Sequence, residues 1–446
     1  MILRAIATLL VTIGLLAPPV SADVVPGDVI TPENKGKLTG LIPEELVPYV
    51  LDDFDELDMT IVEPEIYPPH PKYVEATVEY ACKPRLDESG NLVDYVAGQP
   101  FPYSDWATEA TEHRCDLSPD DPQFALKLAW NVNYRWQGGS GYNFPHWGFS
   151  YMRNRGKDLW RLGQGVYRRT YFSHRADLLP ETHELVEGTD LEWAEFISVA
   201  DPFDLRGTMF LLHRYTDPEK EDQTWAYVPS LRRVRRISTT QKSDSLLGTE
   251  FTFEDFYLFA GYVLDQKWSY GGESTVLAAM NSKRKCFPAN LSDKAETRIE
   301  GMENLGSREQ WKACRWGPYG ALPFIGEAWQ KRTTFRLDDA SKQKGHPYSL
   351  KKIWYDKETM MPMFALAYDR AGNPYRLIAN ISTWSEDSAN PVNHDKSVLL
   401  GRAIMIVNLQ NETSHIAQFF TSNVNPFDGE ESMRFFDTSR LKRAGR

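Results

Sequence analysis

Apolar side chains recur at every second position through much of this chain, in short runs broken by polar turns. That period belongs to half-buried β-strands. After Leu159 the runs are Val166–Phe172, Thr208–Tyr215, Thr224–Val228 and Arg233–Ile237. A second set comprises Thr333–Leu337, Lys351–Tyr355, Met363–Tyr368, Tyr375–Ile381, Ala403–Leu409 and His415–Thr421. Asp356-Lys357-Glu358-Thr359 and Asp369-Arg370-Ala371-Gly372-Asn373 supply hairpin turns. Successive strands with tight turns pair antiparallel, so the pattern predicts a mainly β (α+β) protein built on one large, curved antiparallel sheet.

The 3.6-residue period appears in two places. Asp121 and Pro122 open a stripe of Phe124, Ala125, Leu128 and Ala129, a core-facing helix between Pro119 and Trp130. A second helix is predicted over Thr252–Tyr262, with Thr252 as its cap and Phe253, Phe256, Tyr257 and Ala260 on one face. This helix directly follows the hairpin Thr208–Tyr215/Thr224–Val228. An aromatic helix laid over the face of a sheet leaves a greasy space between them, which suits an apolar ligand. Trp225 and Tyr227 on the strand, with Phe253, Phe256 and Tyr257 on the helix, are the expected walls. Between them runs Arg232-Arg233-Val234-Arg235-Arg236. Alternation puts Arg233 and Arg235 on one face and Arg232 and Arg236 on the other, and at least one pair must reach solvent, acidic side chains or the anionic head group of a ligand.

Residues 1–22 read as a cleaved signal peptide: Arg4, an apolar stretch from Ile6 to Leu16, and the small-x-small site Val20-Ser21-Ala22. Residues 23–72, rich in Pro and acid, read as an extended arm packed on the body, with a short helix or two near Glu44–Val50. Residues 73–446 read as a single β domain with an insertion near 265–330. Without Arg4 the balance is 49 basic against 62 acidic residues. No long basic block exists, which argues against a nucleic-acid partner. Cys82, Cys115, Cys286 and Cys314 lie beyond the leader. In an oxidising compartment their simplest pairing is Cys82–Cys115 and Cys286–Cys314, one of three connectivities.

Catalytic signals are weak. Gly138-Gly139-Ser140-Gly141 is neither a phosphate loop nor a nucleophile elbow, and His183-Glu184 lacks the second His of a zinc helix. No cofactor or metal is called for, and binding is favoured over catalysis.

The stretch Asp204-Leu205-Arg206-Gly207 … Tyr215, with Trp225-Ala226-Tyr227-Val228-Pro229-Ser230-Leu231-Arg232-Arg233, Gln241-Lys242-Ser243-Asp244-Ser245 and Phe253-Glu254-Asp255-Phe256-Tyr257, resembles the bacterial domain-of-unknown-function 1329 family. Gly27-Asp28-Val29-Ile30-Thr31, Tyr95 to Pro102 and Ile353 to Glu358 fit it as well. Members are similar to periplasmic lipoprotein-carrier proteins. The resemblance implies an unclosed barrel with helices on its concave side. It also implies a periplasmic carrier of a hydrophobic, lipid-like molecule, working with an export system of the resistance-nodulation-division type. A ligand-free accessory subunit of a transporter and a periplasmic hydrolase stand as alternatives.

Overall fold

The computed structural model describes residues 23–444 apart from 53, 55, 113–114, 116, 239–242, 285–315 and 428. The arm supplies β1 (Val29–Ile30) and β2 (Asp58–Ile61), and a separate hairpin is formed by β3 (Arg85–Leu86) and β4 (Leu92–Val93). One meander runs through β5 (Gly141–Arg153), β6 (Asp158–Tyr171), β7 (Leu191–Asp201), β8 (Met209–Tyr215), β9 (Gln223–Val228) and β10 (Arg233–Ile237). The hairpin β11 (Gln266–Ala278) and β12 (Ile325–Ser341) leads into a second meander. Its strands are β13 (Leu350–Asp356), β14 (Pro362–Tyr368), β15 (Pro374–Trp384), β16 (Leu399–Asn408) and β17 (Thr413–Val424). The β17–β5 ladder joins the two meanders, so the last long strand pairs with the first.

The result is a 15-stranded sheet in the order β1-β2-β12-β13-β14-β15-β16-β17-β5-β6-β7-β8-β9-β10, with β11 beside β12. It is not closed into a barrel: β10 forms one edge. The pairing is antiparallel except for β2, which lies parallel to β12, so the sheet is mixed rather than wholly antiparallel. Its curvature follows from packing. Phe335 on β12 and Phe210 on β8 stand nine steps apart in strand order, yet share one hydrophobic cluster. A flat sheet would separate them by roughly 43 Å at the usual interstrand spacing.

Both faces are covered. After α1 (Pro71–Glu79) and α2 (Asp105–Thr111), the concave side holds α3 (Phe124–Asn133), whose Phe124, Leu128, Ala129 and Val132 pack inward, so the expected stripe is real. Asp121 accepts the Gln123 and Phe124 amide hydrogens at its start. The convex side of β12–β17 is coated by the arm: Ile30, Leu38, Leu46 and Tyr67 join Trp354, Met363, Leu377 and Met405. Glu45 ties it down through Arg336 (3.0 Å) and Lys352 (2.8 Å). The arm is thus outer wall and sheet edge together, its local turns being a 3-10 segment Pro32–Leu38 and a π turn Pro48–Asp52. The convex side of β7–β9 is covered by two C-terminal helices, Gly429–Phe435 and Ser439–Ala444, through Phe435, Phe436 and Leu441.

The stretch near 265–330 enters and leaves through the sheet, since β11 pairs with β12 from Gln266↔Ser341 to Ala278↔Gln330. Cys82 and Cys115 are bonded, with Cα atoms 5.0 Å apart. Closing that loop stabilises by roughly 3–4 kcal/mol in the chain-entropy treatment. Cys286 and Cys314 lie outside the described residues.

Candidate functional site

The segment Leu246–Tyr262 crosses the concave face as a cover. The single helix expected over Thr252–Tyr262 is instead one 3-10 turn, Phe253–Leu258, broken at Phe256 (ψ 134°) and Tyr257 (φ 52°). Thr252 still caps it, its hydroxyl accepting from the Asp255 amide at 3.2 Å. A continuous helix would spread Phe253, Phe256, Tyr257, Phe259 and Tyr262 around too wide an arc to bury them on one surface. The break sends each ring to its own partner. Phe253 meets Phe210 edge-on at 5.5 Å, Phe256 stacks on Tyr167 at 6.0 Å, and Tyr257 stacks on Tyr142 at 5.6 Å. Left-handed backbone at Tyr257 costs about 1–2 kcal/mol, which burial of that ring offsets.

Two buried carboxylates fix the cover to the sheet, and one guanidinium lies between them. Arg376 on β15 donates to Glu250 at 3.1 Å and stands 3.6 Å from Asp255. Glu250 also accepts from Asn408 (3.1 Å) and Thr413 (2.9 Å), while its amide donates to His415 Nδ1 at 3.0 Å. Burial, then the nearby Arg376 charge, holds His415 neutral, as an acceptor must be. Asp255 accepts from Tyr348 at 2.8 Å and pairs with Lys351 at 3.5 Å. Glu254, between them, accepts from His346 at 2.7 Å. Burial works against the His346 charge, but Glu254 outweighs it and raises the imidazole above its ordinary value.

Beneath the cover lies an apolar pocket. Trp147, Phe149, Tyr167, Ile197 and Phe419 line it from the sheet, and Leu246, Leu247, Phe251 and Phe256 from the cover. Glycines on β6 make room: a Cβ on Gly163 would lie 2.2 Å from the Phe149 ring, and one on Gly165 3.0 Å from Trp147 Nε1. The two aromatic side chains therefore lie across β6. Trp147 Nε1 is buried without a hydrogen-bond partner among the described residues. The free volume is ≈ 30 Å³, about one water's share of the liquid. The greasy space expected from the sequence is thus filled by the protein's own rings.

Of the expected wall, Phe253, Phe256 and Tyr257 share the concave cluster. Trp225 and Tyr227 do not join them. They project from the opposite face of β9 and pack with Phe435, Phe436 and Leu441. The register explains it: Phe210 pairs with Ala226 on the concave side, so the neighbours Trp225 and Tyr227 point outward. Arg233 and Arg235 emerge on the concave side of the edge strand β10, Arg235 opposite Ala226. Both are exposed and line neither the pocket nor the larger cleft described next.

That cleft, ≈ 440 Å³, opens between α3, the ends of β7 and β8, and the turn Gly261–Asp265. At its floor is Glu192, 8% exposed. A bulge puts it there: Leu191 pairs with Tyr215 and Trp193 with Arg214, leaving Glu192 as the extra residue. Burial pushes its carboxyl up to about 7, against the pull of Arg214 and the Asn133 amide, which donates at 3.2 Å. Arg214 is consumed by Asp222 (2.9 and 3.1 Å) and by the carbonyls of Ala260 and Gly261. Between cleft and pocket, Trp193 is flanked by Arg214 and Arg169, and Arg169 pairs with Glu195, which also accepts from Tyr167.

The profile of the family described as "Protein of unknown function (DUF1329)" matches residues 29–307. The chain belongs to that family. Among curated proteins none matches it. Solved structures similar to this DUF1329 chain include a Vibrio parahaemolyticus domain named for outer membrane lipoprotein sorting, at 17% identity and TM-score 0.46, covering 72% of this chain and 100% of that one. A DUF1329 family protein from Desulfovibrio piger has 15% identity and TM-score 0.44, with 71% and 97% covered. A LolA superfamily protein from Nitrosomonas europaea has 10% identity and TM-score 0.38, with 71% and 98% covered.

Replacing Arg376 by Leu leaves Glu250 and Asp255 buried without their shared cation. Stability is expected to fall by roughly 3–5 kcal/mol, with faster proteolysis inside 246–258. Cleavage confined to other segments would contradict the latch. Glu192 offers a pH test. Its folded pKa of about 7 lies above the ordinary 4.5, so the folded state holds a proton that the unfolded state has lost between those values. Stability contributed by this group is present below 4.5 and is lost as pH rises through 7. Glu192→Gln is expected to unfold at higher denaturant than the parent above neutrality, by roughly 1–3 kcal/mol, and to match it in acid. Equal midpoints across the pH range would exclude an ionisable floor.

Proposed function

We propose that this protein is a periplasmic binding protein for a hydrophobic or amphipathic, lipid-like molecule. The tail would be held between β5, β6, β7 and β17 and the aromatic cover, and the cargo passed to an envelope export system of the resistance-nodulation-division type. The observation that carries this reading is the pocket under Phe251 and Phe256. Its walls are almost wholly apolar, and its lid is held to the sheet by side-chain ion pairs instead of a strand ladder. Such a lid can lift without tearing the sheet. Cargo pockets for small molecules run to roughly 300–1,000 Å³, so loading requires that movement. Trp147 Nε1, short of an acceptor among the described residues, would donate to an ester or carboxyl oxygen of the cargo.

The leader-like first 22 residues and the Cys82–Cys115 bond support an exported location. No helix among the described residues is long and apolar enough to cross a membrane. One observation favours a second reading, a ligand-free accessory subunit: only ≈ 30 Å³ is free in the apolar pocket.

A fluorescent polyene fatty acid separates the two. Parent protein is expected to bind it saturably, and Phe256→Asp to lose at least about tenfold in affinity with an unchanged far-ultraviolet spectrum. Failure of both the parent and Arg376→Leu to bind the acyl probe would reject the carrier reading in favour of the accessory one.

A further inference from the structure

The ≈ 440 Å³ cleft is a separate space from the apolar pocket, and its chemistry is different. Acidic side chains at its border are Glu192, Glu221, Asp222, Glu254 and Asp265, against two cations, Arg214 and Lys342. Internal pairing takes up part of that charge. Asp222 neutralises Arg214, two backbone carbonyls accept from further guanidinium donors, and Glu254 is held by His346. Lys342 reaches the Leu264 carbonyl at 2.7 Å on the exposed rim. Glu192 has no ion-pair partner among the described residues, only the neutral Asn133 amide on one oxygen. Aromatic rings stand beside it: Trp130 and Tyr134, stacked at 6.0 Å, and Tyr262.

A buried carboxylate without a counter-ion, in a small-molecule-sized cleft with π faces on its wall, is complementary to a cation that can donate hydrogen bonds. We infer that this cleft binds an organic cation bearing a protonated primary amine, with the ammonium on Glu192 and its alkyl chain along Trp130 and Tyr134. Anions are disfavoured by the residual charge. A quaternary ammonium lacks the N–H that a poorly hydrated carboxylate requires. Glu192 resists ionising because it is buried, and a bound ammonium supplies the charge it lacks.

The test is calorimetric titration of the full-length protein with 1,4-diaminobutane, and with 1-butanol as a neutral control. The amine is expected to saturate one site, and the alcohol to show no binding. Glu192→Gln keeps the side-chain shape and removes the charge, so it is expected to weaken the amine by about tenfold or more. Trp130→Leu reports on the aromatic wall and is expected to weaken it by a few-fold. Absence of saturable amine binding up to millimolar concentration would overturn the inference. So would undiminished binding by a folded Glu192→Gln variant, or equal binding of the alcohol. Acyl-probe binding in the apolar pocket is independent of all of these outcomes.

Discussion

A buried charge is tolerated only with its counter-charge, and in this protein that rule decides where the aromatic cover lies. Arg376 sits mid-sheet on β15, in the concave core, where a lone guanidinium would be prohibitively desolvated. It is accommodated because Glu250 and Asp255 arrive from the same short segment and meet it together. Tyr348 donates to Asp255, and Asn408 and Thr413 donate to Glu250. Hydrophobic contact alone would let the rings of Leu246–Tyr262 settle in many ways; the ion pairs select one. The broken helix follows, since Asp255 must point down while Phe253, Phe256 and Tyr257 reach three different partners.

The sheet supplies the other half of the arrangement. Fifteen strands with both faces clothed need several separate covers, and the chain provides them from its beginning, its middle and its end. The arm and the C-terminal helices cover the convex side, leaving the concave side to α3 and the aromatic segment. Glycine at 163 and 165 lets Phe149 and Trp147 lie against β6, so the pocket floor is smooth and apolar. Toward β7 and β8 the same surface turns polar through Arg169, Glu195, Trp193 and Arg214. Apolar pocket and acidic cleft are therefore two ends of one curved face.

Much of this was legible in the residues. The alternating runs placed most strands of both meanders, and Asp356 and Asp369 do build the turns expected of them. Phe253, Phe256 and Tyr257 do share the concave cluster, but through a broken turn and not through the helical spacing that placed them there. The side chosen by Trp225 and Tyr227 was not legible, because β9 is apolar on both faces and period two fixes only which residues share a face. The rings of Phe435 and Phe436, far along the chain, needed a surface, and that was the available hint. β5 escaped because Gly141, Gly148 and Pro145 interrupt its pattern. Glu192 was hidden by a bulge, which shifts a single residue against the alternation; a carboxylate within Leu191–Ile197 was the one trace it left. Arg233 and Arg235 drew notice through their charge, yet an edge strand lets both reach water.

The claim at the centre is that the rings under Leu246–Leu258 give way to cargo. A crystal structure of the protein saturated with a long-chain fatty acid tests it most directly. The account requires the acyl chain between Trp147, Phe149, Tyr167 and Phe419, with Phe251 and Phe256 displaced and the sheet unchanged. An acyl chain bound elsewhere over an undisturbed cover would contradict it.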